Sequence, residues 1–412
     1  MKKKILFGVE PFRLGDTTRM IEIAKLCQEE FNLAFYGYGG QFVHLIEEAG
    51  FTFYKLKPWL TEEKIEQAMK VERGETFEDL FTFNELTERV KNEIAFYKEI
   101  QPTAIICHHL PSPLISARAY SVPLVYVCPF AWTRPFFEAN LASWPDIFDT
   151  RLSFFRCLPK SFRDWFTNQL GLRTNIFTKP FDNAAKAFGT KRFKKLTDLF
   201  EGDYTLVTDI PDLTGVGSLP DKWYYVGPIF AKLKVEIPKT ILNLPKDKPI
   251  IYFSMGSSGN RVIIKEILES FSQMPYRVIS PMKLRLQEMD VKVPDNVLLV
   301  DWIPAHKVNP LADLAVIHGG QGTVQTACVS GTPIVGIGMQ PEQEKNIDFI
   351  VQKGAGIRLK KNEFTAKSLQ NTIEEILANS QARQKAKEIQ EILQAWDGPA
   401  NVAKFISEKF RG

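Results

Sequence analysis

The stretch of this 412-residue sequence richest in chemical possibilities is His318-Gly319-Gly320-Gln321-Gly322-Thr323. The apolar run 313–318 reads as a strand and the residues from 323 as a helix, so the glycines make a strand-to-helix turn. Three glycines let the backbone curl tightly and expose the first amides of the helix. Those unbonded N–H groups, at the positive end of the helix dipole, favour a phosphate. His318 and the Thr323 hydroxyl can each donate to phosphate oxygens. No lysine follows the glycines and the spacing is not Gly-x-Gly-x-x-Gly, so neither a Walker loop nor a dinucleotide fingerprint is present. After the next strand, 334–337, Pro341-Glu342-Gln343 opens a helix with Asn346 one turn later. A carboxylate and an amide beside a phosphate site suit a polyhydroxylated ligand, since both bond sugar hydroxyls. The plainer readings are a structural histidine at 318 and, at Glu342, a first-turn acid complementing the helix dipole.

The elements that must position these groups follow from hydrophobic periodicity. Between Asp313 and Glu342 there is no charged residue, yet glycines, Pro333 and several Gln and Thr interrupt the run. It therefore reads as buried strands with close backbone approach, not a membrane span. In the first half, strands at 5–9, 33–38, 51–56, 104–107 and 124–128 alternate with helices at 18–31, 43–49 and 114–120. In the second half, strands at 250–254, 277–279, 297–300, 314–317, 334–337 and 356–359 alternate with helices at 262–271, 323–329, 343–353, 366–378 and 383–395. Strands separated by helices imply parallel sheets, with ligands outside the strands' carboxyl ends. The expected fold class is α/β, two doubly wound Rossmann-like domains facing across a cleft. Their bounds are 1–228, with a helical excursion over 145–200, and 249–395. Residues 229–248, holding Pro238 and Pro245, are the linker, and 396–412 form a helix packing back on the first domain.

A net charge of +4 on 412 residues excludes a general nucleic-acid binder, which needs concentrated cations. The five cysteines, Cys27, Cys107, Cys128, Cys157 and Cys328, are scattered and read as reduced core residues of a cytoplasmic protein. The apolar run after Lys2-Lys3-Lys4 is too short for a signal peptide and reads as a first buried strand. Residues 151–200 carry eleven Lys or Arg against three acids, interleaved with aromatics such as Phe154, Phe162 and Trp165. One use is peripheral docking on anionic lipid. The favoured alternative is a helical excursion whose aromatics are core and whose cations are solvated. The acidic stretch 62–99 reads as a solvated helical face.

The segment from Trp302-Ile303-Pro304 to Asn346 resembles the nucleotide-sugar signature of family-one glycosyltransferases, the inverting GT-B enzymes of the UDP-glycosyltransferase superfamily. The nearest branch is the bacterial macrolide, antibiotic and sterol glycosyltransferases. The resemblance implies that Trp302 and Ile303 flank the nucleobase and that His318, Gly320, Gly322 and Thr323 hold the diphosphate. Glu342 and Gln343 correspond to the acid–glutamine pair that reads the sugar, and Phe253-Ser254-Met255-Gly256-Ser257-Ser258 to a second phosphate-contacting turn, with Ser257 on the donor. The acid that often binds ribose is here Thr326, which leaves uridine and thymidine donors both open. Many members carry a catalytic histidine near the first strand; here Leu14-Gly15-Asp16-Thr17 resembles the Gly-Asp version, with Asp16 as general base. The alternative for Asp16 is an N-cap of the first helix. His108, in Cys107-His108-His109, takes the place of an orienting aspartate and would tune Asp16 or share the acceptor's proton; either histidine could equally satisfy local hydrogen bonds.

The expected reaction is inverting transfer of a hexose from a UDP- or dTDP-sugar to a small, largely apolar hydroxylated acceptor. No cofactor or metal is needed, because amides, dipole and His318 stabilise the leaving diphosphate. A membrane lipid of sterol or diacylglycerol type as acceptor, and a nucleotide-sugar epimerase, are the alternatives. The acceptor pocket belongs in the first domain, with Phe130 and Trp132 favoured among Trp59, Phe136 and Phe137. The expected assembly is a monomer or homodimer.

Overall fold

The computed structural model describes residues 2–411 except 74, 77, 233–234, 257–259 and 288, and only the backbone of 150 and 153. Two units emerge: Met1–Trp144, Phe154–Ile229 and Asp397–Gly412 form the first, and Pro145–Ser153 with Phe230–Trp396 form the second.

The first unit is built on seven strands: β1 (Lys4–Gly8), β2 (Asn32–Gly37), β3 (Phe53–Lys55), β4 (Ala104–Cys107), β5 (Leu124–Cys128), β6 (Tyr204–Val207) and β7 (Trp223–Tyr225). Their order is β3-β2-β1-β4-β5-β6-β7, and the pairings are parallel. Both faces are covered, so each strand is apolar almost throughout. Ile5, Phe7 and Val9 join Ile106, Val125, Val127 and Leu206 on one face. Leu6 joins Ile105, Cys107, Leu124 and Tyr126 on the other. Helix Gly398–Phe410 closes the first face through Val402, Ile406 and Phe410, and its Asn401 side chain donates to the Val226 carbonyl (2.9 Å).

The second unit repeats the plan with β8 (Ile250–Ser254), β9 (Arg277–Ser280), β10 (Val297–Leu299), β11 (Leu314–Ile317), β12 (Ile334–Gly336) and β13 (Gly356–Arg358). Their order is β10-β9-β8-β11-β12-β13, again parallel. Its core gathers Ile251, Phe253, Leu314, Val316, Val335 and Ile337 from the strands with Ile264, Leu268, Leu369 and Ile373 from the helices. Segment 145–153 is tied to this unit by charge: the Asp146 N–H donates to Glu344 (3.1 Å), which also accepts from Arg358 (3.1 Å). Burial, reinforced by Asp146, pushes the Glu344 carboxyl up to about 8.

The two doubly wound parallel sheets are those expected, but four details differ. β6 and β7 extend the first sheet beyond the expected strands. The acidic stretch is not a solvated face throughout. Helix Phe83–Ile100 turns Leu86, Arg89, Val90, Glu93 and Phe96 inward. Glu93 is fully buried and accepts hydrogen bonds from Tyr38, Ser112 and Ser116 (2.6, 2.6 and 2.5 Å), so its desolvation is offset. Cys157 is exposed rather than core, while the other four cysteines are buried; all five are free thiols. In 151–200 the two readings divide: Phe181 and Phe193 are core, whereas Phe154, Phe162 and Trp165 stand exposed. No helix among the described residues is long and apolar enough to cross a membrane.

Candidate functional site

A doubly wound sheet opens a crevice where its strand order reverses, because connections on either side depart to opposite faces. The reversals lie between β1 and β4 in the first unit and between β8 and β11 in the second. Chemistry-bearing residues gather at the carboxyl ends of those four strands.

In the second unit, β11 delivers His318 to the turn and Gly320 caps helix Gln321–Val329. The imidazole fits because two neighbours lack side chains. A Cβ on Gly256, which follows β8 in the left-handed region (φ +62°), would lie 2.4 Å from His318 Cε1. A Cβ on Gly320 would lie 2.4 Å from Nε2. Burial pushes His318 down to about 4, against a hydrogen bond to the Ser254 backbone, so the ring is neutral at pH 7. Its Nδ1 has no hydrogen-bond partner among the described residues. Gly322, in the first helical turn, differs from those glycines: a Cβ there would meet no atom of the described residues within 4 Å beyond its own stretch of helix.

Helix Pro341–Gln352 brings Glu342 to the same turn. The Asn346 amide donates both to the Gly319 carbonyl (3.0 Å) and to Glu342 Oε1 (2.5 Å), fixing the carboxylate beside the glycines. Gln343 departs from expectation. Its oxygen accepts from the Met339 N–H (3.1 Å), its nitrogen donates to Gln340 (3.1 Å), and the residue is buried. It braces the turn from inside instead of facing a sugar. Trp302 is exposed, as a base-stacking residue requires, whereas Ile303 is buried and can only support it. Thr323 lies in the first turn, half-buried. The Thr326 hydroxyl is spent on the Gly322 carbonyl (2.7 Å). Ser257 and Ser258 lie outside the described residues.

In the first unit, Asp16 lies in the first turn of helix Leu14–Cys27, beyond Gly15. It is not an N-cap: that position is Arg13, and the carboxylate points to the end of β4. Oδ1 lies 2.9 Å from His108 Nε2 and Oδ2 lies 3.1 Å from His109 Nδ1. Burial would raise the Asp16 carboxyl, but the neighbouring imidazoles, with a hydrogen bond from His109 Nδ1, hold it well below the usual carboxylate range. Guanidinium nitrogens of Arg13 and Arg19 each stand 3.9 Å from the carboxylate. His108 is fully buried; its Nδ1 donates to the Val127 carbonyl, which leaves Nε2 to accept from Arg19. Burial drives this ring down to about 3, so it stays neutral.

Asp16, His108 and His109 bring three potential ligand atoms within 4.8 Å of one another. The donor set does not fit a cation, because Arg19 already lies against His108 Nε2 and two arginines already balance Asp16. Arg13 and Arg19 were missed in the sequence, though their i±3 spacing about Asp16 was a visible signal. Phe130 must be withdrawn from the acceptor lining: it is fully buried, against Phe136 and Tyr225. Trp132, half-buried with φ +72°, keeps surface to offer, as does exposed Trp59.

Residues 265–408 match the family model described as Erythromycin biosynthesis protein CIII-like, C-terminal domain. Over 405 residues, 95% of this chain and 88% of the relative, the sequence is 24% identical to a PGL/p-HBAD biosynthesis glycosyltransferase of Mycobacterium tuberculosis (strain ATCC 25177 / H37Ra). It is 26% identical over 309 residues, 74% of this chain and 67% of the relative, to a PGL/p-HBAD biosynthesis rhamnosyltransferase of Mycobacterium bovis (strain BCG / Pasteur 1173P2). The glycosyltransferase VinC, solved in complex with DTDP, superposes with a TM-score of 0.68 at 16% identity, covering 99% of this chain and 100% of that one. The chain is a glycosyltransferase of GT-B fold. Within this glycosyltransferase the EryCIII-like match spans β9 to β13 and the final helix.

The buried His318 makes a prediction about pH. Its folded pKa (about 4) lies below the unfolded value (about 6.5), so this contribution is complete above pH 6.5 and is lost as pH falls toward 4. Between pH 7 and 5 the loss should be about 2 kcal/mol. Urea unfolding of wild type and His318→Asn at both pH values checks it: the variant should lose less stability on acidification. Equal losses would show that the imidazole is not held neutral.

Proposed function

We propose that this glycosyltransferase moves a hexose, with inversion, from a UDP- or dTDP-sugar to a hydroxyl of a small, largely apolar acceptor. The observation that carries the reading is the second unit's crevice. Among the described residues it combines a helix N-terminus with open space at Gly322, a buried His318 whose Nδ1 has no partner, and a Glu342 carboxylate fixed by Asn346. Amides and dipole meet the diphosphate, whose charge favours protonation of His318 so that Nδ1 donates to it, and Glu342 accepts from sugar hydroxyls. The thymidine diphosphate bound by VinC and the rhamnosyltransferase among the relatives support a nucleotide-sugar donor, and dTDP-sugars beside UDP-sugars.

In the first unit, the acid–imidazole cluster at Asp16 accepts the acceptor's proton as its oxygen attacks the anomeric carbon. One displacement inverts that carbon, and the leaving diphosphate keeps the electron pair. Gly15, like Gly322, is a glycine where a Cβ would meet no atom of the described residues beyond its own stretch of helix, leaving room beside Asp16. A panel of UDP- and dTDP-sugars, scored by mass spectrometry against phenolic, sterol and macrolide acceptors, should give a single-hexose adduct. Asp16→Asn should lower kcat about 100-fold or more while nucleotide binding persists. Turnover within a few-fold of wild type would remove Asp16 from the chemistry.

A second reading makes the acceptor a membrane lipid, supported by exposed Phe154, Phe162 and Trp165 with Arg156 and Lys160 exposed among them. Aromatics beside cations suit an anionic interface. Co-sedimentation with phosphatidylglycerol vesicles but not phosphatidylcholine vesicles, lost on Phe154→Ser with Trp165→Ser, is the expected result. Absence of binding to either vesicle would confine the acceptor to solution.

A further inference from the structure

We propose that the group taking the acceptor's proton is His109, through Nε2, and that Asp16 is its positioning residue. This rests on the glycosyl transfer proposed above. Asp16 itself is poorly placed to take a proton from a ligand. It is 7% exposed, both oxygens face imidazole nitrogens, and two arginines balance its charge. A carboxylate stabilised in this way is a weak base. His108 has nothing to offer either: it is fully buried, Nδ1 donates to Val127 and Nε2 faces Arg19.

His109 differs from both. Its side chain is 32% exposed. A carboxylate only accepts, so the 3.1 Å contact with Asp16 Oδ2 puts the ring's hydrogen on Nδ1. In the neutral ring Nε2 is then a bare nitrogen carrying the lone pair. The backbone enforces the arrangement. His109 has φ +51°, a left-handed region that a non-glycine residue seldom adopts and that persists only where surroundings demand it. That turn stacks the ring on His108, with centroids 4.1 Å apart and planes at 26°. His108, pinned to Val127 and Arg19, is the platform, and Asp16 fixes the rotation of the upper ring.

The step balances. The acceptor O–H proton moves to His109 Nε2, the acceptor oxygen bonds the anomeric carbon, and the bond from that carbon to the diphosphate oxygen breaks with its electron pair. The imidazolium is stabilised by Asp16 and returns the proton to solvent through its exposed edge.

Two measurements test this. With [15N]histidine-labelled protein, the His109 resonances, assigned by their loss in His109→Gln, should show hydrogen on Nδ1 in wild type. They should move toward the Nε2-protonated form in Asp16→Asn. In turnover, His109→Gln should lose about 100-fold or more with benzyl alcohol, which needs a base, but under about tenfold with 4-nitrophenol, which is already acidic. Imidazole added to His109→Ala should restore part of the benzyl alcohol rate. An Nε2-protonated ring in wild type, or equal losses with both acceptors, overturns the assignment. A wild type that transfers while His109→Gln keeps pace overturns this step alone. A wild type that transfers to neither acceptor, from UDP-glucose or a dTDP-hexose, overturns the glycosyl-transfer reading and this step with it.

Discussion

Parallel strands whose order reverses cannot be covered continuously at the reversal, and this constraint decides where polar chemistry can live in this protein. Elsewhere both faces of each sheet are sealed by apolar side chains, which would make a lone imidazole or carboxylate costly. Only at the ends of β1 and β4, and of β8 and β11, do the connections part. His318 stands at one parting, and Asp16 with His108 and His109 at the other. The same short strand segments that knit the cores therefore also aim the reactive groups.

The two crevices solve the burial of polar groups differently. In the second unit the solution is removal of bulk: Gly256 and Gly320 give His318 its slot, and Gly319, at φ +86°, brings its carbonyl to Asn346. The imidazole is left neutral with Nδ1 unsatisfied among the described residues, a local cost that a ligand's polar group would relieve. In the first unit the solution is compensation. Asp16 is flanked by two arginines, and Glu10 by Arg13 (3.2 Å) and Arg89 (2.9 Å), so that buried charges meet partners at hydrogen-bond or ion-pair distance. Breaking either set would leave a buried charge alone, which is far costlier than never placing it there.

Much of this arrangement was legible in the sequence because buried parallel strands are continuous apolar runs. β4, β5, β8 and β11 lie residue for residue where the apolar runs put them. The glycine turn and the Glu342–Asn346 pair were legible because glycine and amide chemistry is local. What was not legible depended on tertiary partners. β6 and β7, four and three residues long, are held by their neighbours rather than by their own pattern. Glu93 looked solvent-facing because its three hydroxyl partners come from distant segments. Gln343 beside Glu342 could not reveal that its amide points inward. Asp16 and His109 are 93 residues apart, so their contact exists only once β1 and β4 pair.

The central claim is that a nucleoside diphosphate settles against the helix that follows His318. Isothermal titration of UDP and of dTDP into wild type and His318→Ala tests it most directly, with thermal unfolding of both proteins as the control. Association in wild type, weakened about tenfold or more in a variant that still folds, is the predicted result for the loss of one hydrogen bond to a charged ligand. Failure of both nucleotides to bind wild type at millimolar concentration, or equal affinity in the folded variant, would contradict it.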